Sequence, residues 1–225
     1  LGNIFVADSF NGRIRRITAE GIVTTISSGT SLSYPEGVAL DSSGNLYVAS
    51  QGNNRIIKIS PLQNTVTMLA GSGVAGFANG FGTNASFNFP RGLAVDSVGN
   101  VYVADSVNCV IRKISPAGEV TTFAGSGIRG NADGSSTVAQ FNGPRSVAVD
   151  SKGNVYVADA DSGHIRKITT NGQVITLRST ASGSYIFSNG TGVPASFYYP
   201  LGIAVDSIGN LYIGDSHNNL SLIHI

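Results

Sequence analysis

The chain is poor in the residues that most often carry chemistry. Its single cysteine, Cys109, rules out an intrachain disulfide and any cysteine-based zinc site. There is no Trp, and the eight Tyr and ten Phe sit in strand-like runs or just before turns. No aromatic platform for stacking nucleic-acid bases is therefore expected. Charged residues make up 12%, about half the roughly 25% usual in globular proteins. The 14 basic and 13 acidic residues leave a net charge of +1, so bulk electrostatics favour neither nucleic acid nor an anionic membrane as partner. No apolar run approaches the ~18 residues needed to cross a bilayer, and no segment sustains a helical period. The first residue is Leu1 rather than Met, so the lack of a targeting signal at that end carries no information about localisation.

What the sequence does have is repetition. Gly-Asn recurs at Gly2, Gly44, Gly99, Gly153 and Gly209, with spacings of 42, 55, 54 and 56. Each pair is followed by an apolar run such as Val101-Tyr102-Val103-Ala104 and, in four copies, preceded by another such as Gly92-Leu93-Ala94-Val95-Asp96. A third run (Val110-Ile111-Arg112-Lys113-Ile114) and a fourth (Glu119 to Ala124) complete the unit. Runs rich in Val, Ile, Tyr and Thr, separated by Gly, Pro, Asn and Asp, read as short strands. The Asp-Ser-x-Gly-Asn link reads as a hairpin turn, with Asp bonding amides two residues on and Gly supplying positive φ. Strands one and two are apolar on both faces, as a sheet covered by neighbouring sheets requires. A period of 40–55 residues with four strands per unit predicts an all-β chain, a β-propeller of four-stranded antiparallel blades.

The compound motif is Pro-x-Gly-[Val/Leu/Ile]-Ala-[Val/Leu]-Asp, then Gly-Asn-[Leu/Val]-Tyr-Val-Ala-Asp, then Asn-x-x-Ile-Arg-Lys-Ile. It resembles the NHL repeat over essentially all of residues 1–219. NHL propellers usually have six blades, so the resemblance implies that about four to five blades of a six-bladed ring are present. The expected blades are 1–28 (lacking its first strand), 35–70, 90–124, 144–178 and 200–214 (first two strands). The final Leu220 to Ile225 resemble the translation of a transposon-end sequencing adaptor and are expected to be a foreign tail; the other reading is a hydrophobic last strand.

In a meander, the links from strand two to three and from four to the next strand one share one face. That face is expected to bear the long insertions Gly71 to Phe89, Gly125 to Asn142 and Ser179 to Tyr199, with Phe87, Phe141 and Phe197 plugging back as anchors. It also carries the ends of strand two, where Asp8, Asp105, Asp159 and Asp215, with Ser50 at the fifth position, would form an arc round the channel mouth. The arc could be a cation or ligand site; the preferred reading is that each Asp caps its own turn. Beside it stand Glu36, Arg91, Arg145 and Leu201, which differ where scaffold positions repeat. Arg91, Arg145, Arg129, Asp8, Asp105, Asp159 and Asp215 are the candidate binding residues. Arg15, Arg16, Lys58, Arg112, Lys113, Arg166 and Lys167, in strand three, are expected on a solvated outer surface.

Some propellers related to this family are metal-dependent lyases or hydrolases. Such a site needs about three converging ligands. With the tail set aside, only His164 and His217 remain, at unmatched offsets that suggest surface turns. No nucleophile elbow or phosphate-binding loop occurs, and no catalytic residue, metal or cofactor is assigned. Asn84-Ala-Ser86 and Asn189-Gly-Thr191 fit the glycosylation acceptor pattern. The expected function is a non-catalytic binding, scaffold or sensor propeller that meets a protein or small ligand on the long-loop face. The alternatives are an enzyme with ligands in blades outside the chain, or an RNA-binding NHL domain. A fused effector domain outside these residues is also compatible.

Overall fold

The computed structural model describes residues 2–26, 32–60, 65–178, 197–218 and, for the backbone, 220–224. The described residues form five antiparallel sheets, here blades I to V. Blade I holds Ile4–Asp8, Arg13–Ile17 and Val23–Ile26. Blade II runs Pro35–Leu40, Leu46–Ser50, Arg55–Ser60, Thr65–Ala70. Blade III runs Pro90–Val95, Val101–Asp105, Val110–Ile114, Glu119–Ala124, and blade IV runs Pro144–Val149, Val155–Asp159, His164–Ile168, Gln173–Arg178. Blade V holds Pro200–Val205 and Leu211–Asp215, and Leu220–His224 pairs antiparallel with the latter as a third strand. The first strands of successive blades lie against one another around a common centre, the arrangement expected of a propeller.

The hairpin between strands one and two recurs with one chemistry. In blade III, Asp96 Oδ1 accepts the N–H groups of Val98 (3.1 Å) and Asn100 (2.8 Å). Its Oδ2 accepts from Asn100 Nδ2 and the Tyr102 hydroxyl. Asp41, Asp150 and Asp206 repeat the pattern. The turn is completed by a glycine at positive φ, Gly99 at 89° in blade III, a region that costs a side-chain-bearing residue about 1–2 kcal/mol.

The core lies between blades rather than within any one of them. Strand two is buried along its whole length in blades II, III and IV, which is why its sequence lacks alternation. Clusters join I to II (Ile14, Leu46, Val48), II to III (Ala49, Phe87, Val103), III to IV (Ala104, Phe141, Val157) and IV to V (Ala158, Phe197, Ile213). Strand two of blade V alternates buried and exposed, since one of its faces has no neighbour among the described residues. Phe87, Phe141 and Phe197 are buried as anchors.

The insertions take a path the sequence does not announce. Gly80–Phe81 leaves blade II and pairs with Val120 and Glu119 at the outer edge of blade III. Gly134–Ser135 pairs with Val174 and Gln173 of blade IV in the same way. Gly82 donates to the Gly118 carbonyl and Ser136 to that of Gly172, in the turns on the opposite face. Each insertion thus runs down the next blade as a fifth strand and returns, so the expectation of two long loops standing on one face is corrected. Only their ends remain there. Most of the third insertion, 179–196, and the acceptor pattern at Asn189 lie outside the described residues.

The hairpin geometry makes a direct prediction. Gly99→Val should lower stability by about 1–2 kcal/mol or more, seen as a lower melting temperature, whereas Gly99→Asn, a residue tolerant of positive φ, should melt closer to wild type.

Candidate functional site

Two of the strand-three arginines turn inward. Arg112 and Arg166 are fully buried, correcting the expectation of a solvated outer surface, while Lys113 and Lys167 on the alternate side stay partly exposed. The two lysines lie over Tyr102 and Tyr156, at 5.8 and 5.5 Å from the ring centres. Arg112 donates to Asp105 Oδ2 (2.9 Å), the carbonyls of Ser86 (3.0 Å) and Ala78 (2.8 Å), and Asn79 Oδ1 (2.7 Å). Its guanidinium also lies 5.2 Å from the Phe87 ring centre. Arg166 repeats this with the carbonyls of Gln140 and Ala132 and with Asp133, and it sits 3.5 Å from Asp159. Each arginine is therefore a peg through the insertion that crosses its blade. In blade II both positions change together, to Ser50 and Ile57.

The strand-two carboxylates belong to the same device. Asp105 Oδ1 accepts the Asn88 N–H (2.8 Å) and Asp159 Oδ1 the Asn142 N–H (2.7 Å). Asp215 accepts the Tyr198 N–H (2.8 Å) and Asn218 Nδ2 (2.7 Å). All three are fully buried; each accepts from the residue three on in its own turn, Asn108, Ser162 or Asn218, as the turn-capping reading expects, and also ties down the residues before strand one. Asp8 is partly exposed and pairs with Arg15 at 3.1 Å. Burial raises the Asp105 carboxyl above its usual range against the Asn88, Asn108 and Arg112 donors. Burial pushes Asp159 to about 7, opposed by Ser162, Asn142 and Arg166. Asp133 accepts from the same arginine at 2.8 Å.

By fixing Asn88, Asn142 and Tyr198, these fasteners set the next residue in each blade. Phe89, Gly143 and Tyr199, with Tyr34 in blade II, stand directly before the proline of strand one, at φ of 56°, 63°, 60° and 44°. Three are aromatic, although that region costs such residues about 1–2 kcal/mol; blade IV alone of the four has glycine. A Cβ on Gly143 would come within 2.5–2.9 Å of the Asp161 carboxylate, which occupies the vacated space. Asp161 in turn accepts from Arg129 at 2.6 Å.

Around this gap lies a cleft of about 390 Å³ whose lining includes Arg91, Arg129, Arg145, Asp161, Tyr199 and Gly143. Arg91 Nη1 donates to both oxygens of Glu36, at 2.8 and 2.7 Å. Arg145 donates to the Tyr199 hydroxyl and lies 5.0 Å from that ring's centre. A second, axial cavity of about 660 Å³ is lined by strand-one residues and shares Arg145. Of the seven candidate residues, the three arginines meet here; Asp105, Asp159 and Asp215 do not, and Asp8 lies in blade I. Asp161, Tyr199 and Gly143 escaped the sequence reading. Their signal was the lone glycine among the four residues that precede the strand-one prolines.

His164 is buried beside Arg166 in register with Asp159, a correction to the expected surface turn; His217 is exposed, edge-on to Tyr198 and Tyr199. Cys109 is a buried free thiol at φ 54°, where other blades place Gly or Asn. Among the described residues no three His, Cys, Asp or Glu side chains converge as metal ligands, and no helix is long and apolar enough to cross a membrane.

Radially packed four-stranded sheets with inter-blade cores define the chain as part of a β-propeller. It belongs to the NHL family: residues 1–134 match the Teneurin NHL domain, and 141–168 and 197–220 the NHL repeat. It is 39% identical over 83 residues to the Arabidopsis thaliana protein SUPPRESSOR OF QUENCHING 1, chloroplastic, covering 37% of this chain and 8% of that protein. It is 38% identical over 101 residues to NHL repeat-containing protein 2 of Gallus gallus, covering 44% and 14%. The chain thus spans a small part of these relatives' length. The fold matches a structural genomics protein of unknown function from Bacteroides thetaiotaomicron with a TM-score of 0.77 at 23% identity, covering 99% of this chain and 56% of that one.

The pegs yield two predictions. Arg112→Ile should cost about 3–5 kcal/mol, because it leaves a buried carboxylate unpaired, and adding Asp105→Ser, which recreates the blade II pair, should recover part of that loss in denaturant titrations. Asp159 has a folded pKa of about 7 against an unfolded value of 3.8. Its contribution to stability is complete below the lower value and is lost as pH rises through the higher one. Thermal melts should therefore show the advantage of wild type over Asp159→Asn shrinking between about pH 4 and pH 7.

Proposed function

We propose that the chain is the recognition part of a non-catalytic NHL propeller that binds a protein segment or small ligand on the face bearing Arg91, Arg129 and Arg145. One observation carries this reading. Three arginines that break the repeat, Arg91, Arg129 and Arg145, line a single cleft, whereas the carboxylates that repeat are consumed inside the blades. Scaffold demands explain the repeated positions and leave the irregular ones for specificity. The cleft's 390 Å³ falls within the roughly 300–1,000 Å³ of small-ligand sites, and the axial cavity beside it offers room for a longer ligand. The RNA-binding alternative has less support, because the chain is nearly neutral and its two most deeply placed strand-three arginines are buried.

A ligand panel tests the reading. Neutral saccharides, short peptides and small organic acids would be screened by melting temperature, against wild type and Val107→Trp. Val107 is exposed and lines the cleft, so the substitution fills the site without touching the core. At least one ligand class should raise the melting temperature by mass action and lose that effect in the variant. No shift from any class, or shifts that survive Val107→Trp, would contradict a recognition role for this face.

A further inference from the structure

The cleft's own charge count narrows its ligand, if the recognition reading above holds. We infer that it takes a small organic oxyanion, a carboxylate or a phosphate monoester, with Arg145 as the principal counter-charge. Three guanidinium groups line the site, and two carboxylates answer them: Glu36 engages Arg91 and Asp161 engages Arg129. Arg145 is left with the neutral hydroxyl of Tyr199, so one positive charge (three minus two) has no acidic partner in the cleft among the described residues. Arg91 spends Nη1 on Glu36, and its buried Nε meets no acceptor among the described residues. An unmatched, half-buried guanidinium is costly in isolation, and its planar fork of donors fits carboxylate or phosphate oxygens better than any neutral group.

The shape of the site agrees with a ligand carrying an apolar body. The Tyr199 ring and Val107 form parts of its wall, and Arg145 sits both here and in the axial cavity. Blade IV has Gly143 in the cleft wall where Tyr34, Phe89 and Tyr199 stand in the other blades, and Asp161 takes the space beside it. An aromatic side chain at that position would displace Asp161 and fill the gap.

Calorimetric titration with benzoate, phenyl phosphate and neutral benzamide tests the inference. Benzoate or phenyl phosphate, or both, should bind, with benzamide at least about tenfold weaker, a difference of ~1.4 kcal/mol. The preference between the two anions identifies the carboxylate or the phosphate as the better match. Arg145→Gln should weaken the anion by about tenfold or more, with Arg145→Lys between it and wild type. Lys152→Gln removes a charge from an exposed strand one-to-two turn and should leave binding unchanged. The inference fails if neither anion binds below about 10 mM, if benzamide binds as well as benzoate, or if Arg145→Gln has no more effect than Lys152→Gln. Should a neutral ligand bind this face while both anions fail, the recognition role stands and the anion falls; failure of every class removes both.

Discussion

The structure depends on a buried guanidinium held between a carboxylate and a passing loop. In blades III and IV the arginine at the middle of strand three lies with no solvent contact, ion-paired with the strand-two acid (2.9 Å in blade III, 3.5 Å in blade IV) and bonded to two carbonyls of the insertion that crosses the blade. A buried charge is expensive unless it is paired and hydrogen-bonded; each guanidinium meets that cost through its two Nη groups, while its Nε has no hydrogen-bond partner among the described residues. The insertion must lie where its carbonyls can accept, and once there it becomes a fifth strand. Blade II makes the same point by contrast, because Ser50 and Ile57 replace acid and base together.

From that constraint the cleft follows. The acid that faces the arginine also accepts the backbone N–H of Asn88 or Asn142. That bond fixes the next residue at positive φ before a proline, and the strand then leaves in the one direction that sets Arg91 and Arg145 on the face. The turn after strand two closes the arrangement, since Asp161 N–H donates to the Asn142 carbonyl and holds its side chain in the space that Gly143 leaves. The side chains of the cleft are thus positioned by electrostatics in the interior.

Much of the fold was legible because repetition exposes period. Five Gly-Asn pairs, apolar second strands and three matched phenylalanines predict blades, inter-blade burial and anchors. The path of the insertions was not legible, because the pairing of Gly80–Phe81 with Glu119 and Val120 joins segments that carry no local pattern for it. The arginines were misplaced for a related reason. Arg112-Lys113 reads as a charged pair, yet alternate residues of a strand face opposite sides, and only the coupled change at Ser50 and Ile57 betrays which one is inside. At the cleft, Arg91, Arg129 and Arg145 were visible as exceptions to the repeat, while Asp161 and Tyr199 come from neighbouring blades and are brought there by tertiary packing alone.

The insertions are structural members of the blades, locked by the arginine pegs. Amide hydrogen exchange resolved to single residues tests it most directly, at Ser86, Asn88, Gln140 and Asn142, whose N–H groups donate to the insertion's own carbonyls or to the buried acids. Protection matching that of Ile111 and Ile165 in strand three is the predicted result. Exchange at the rate of freely exposed loop amides would contradict it.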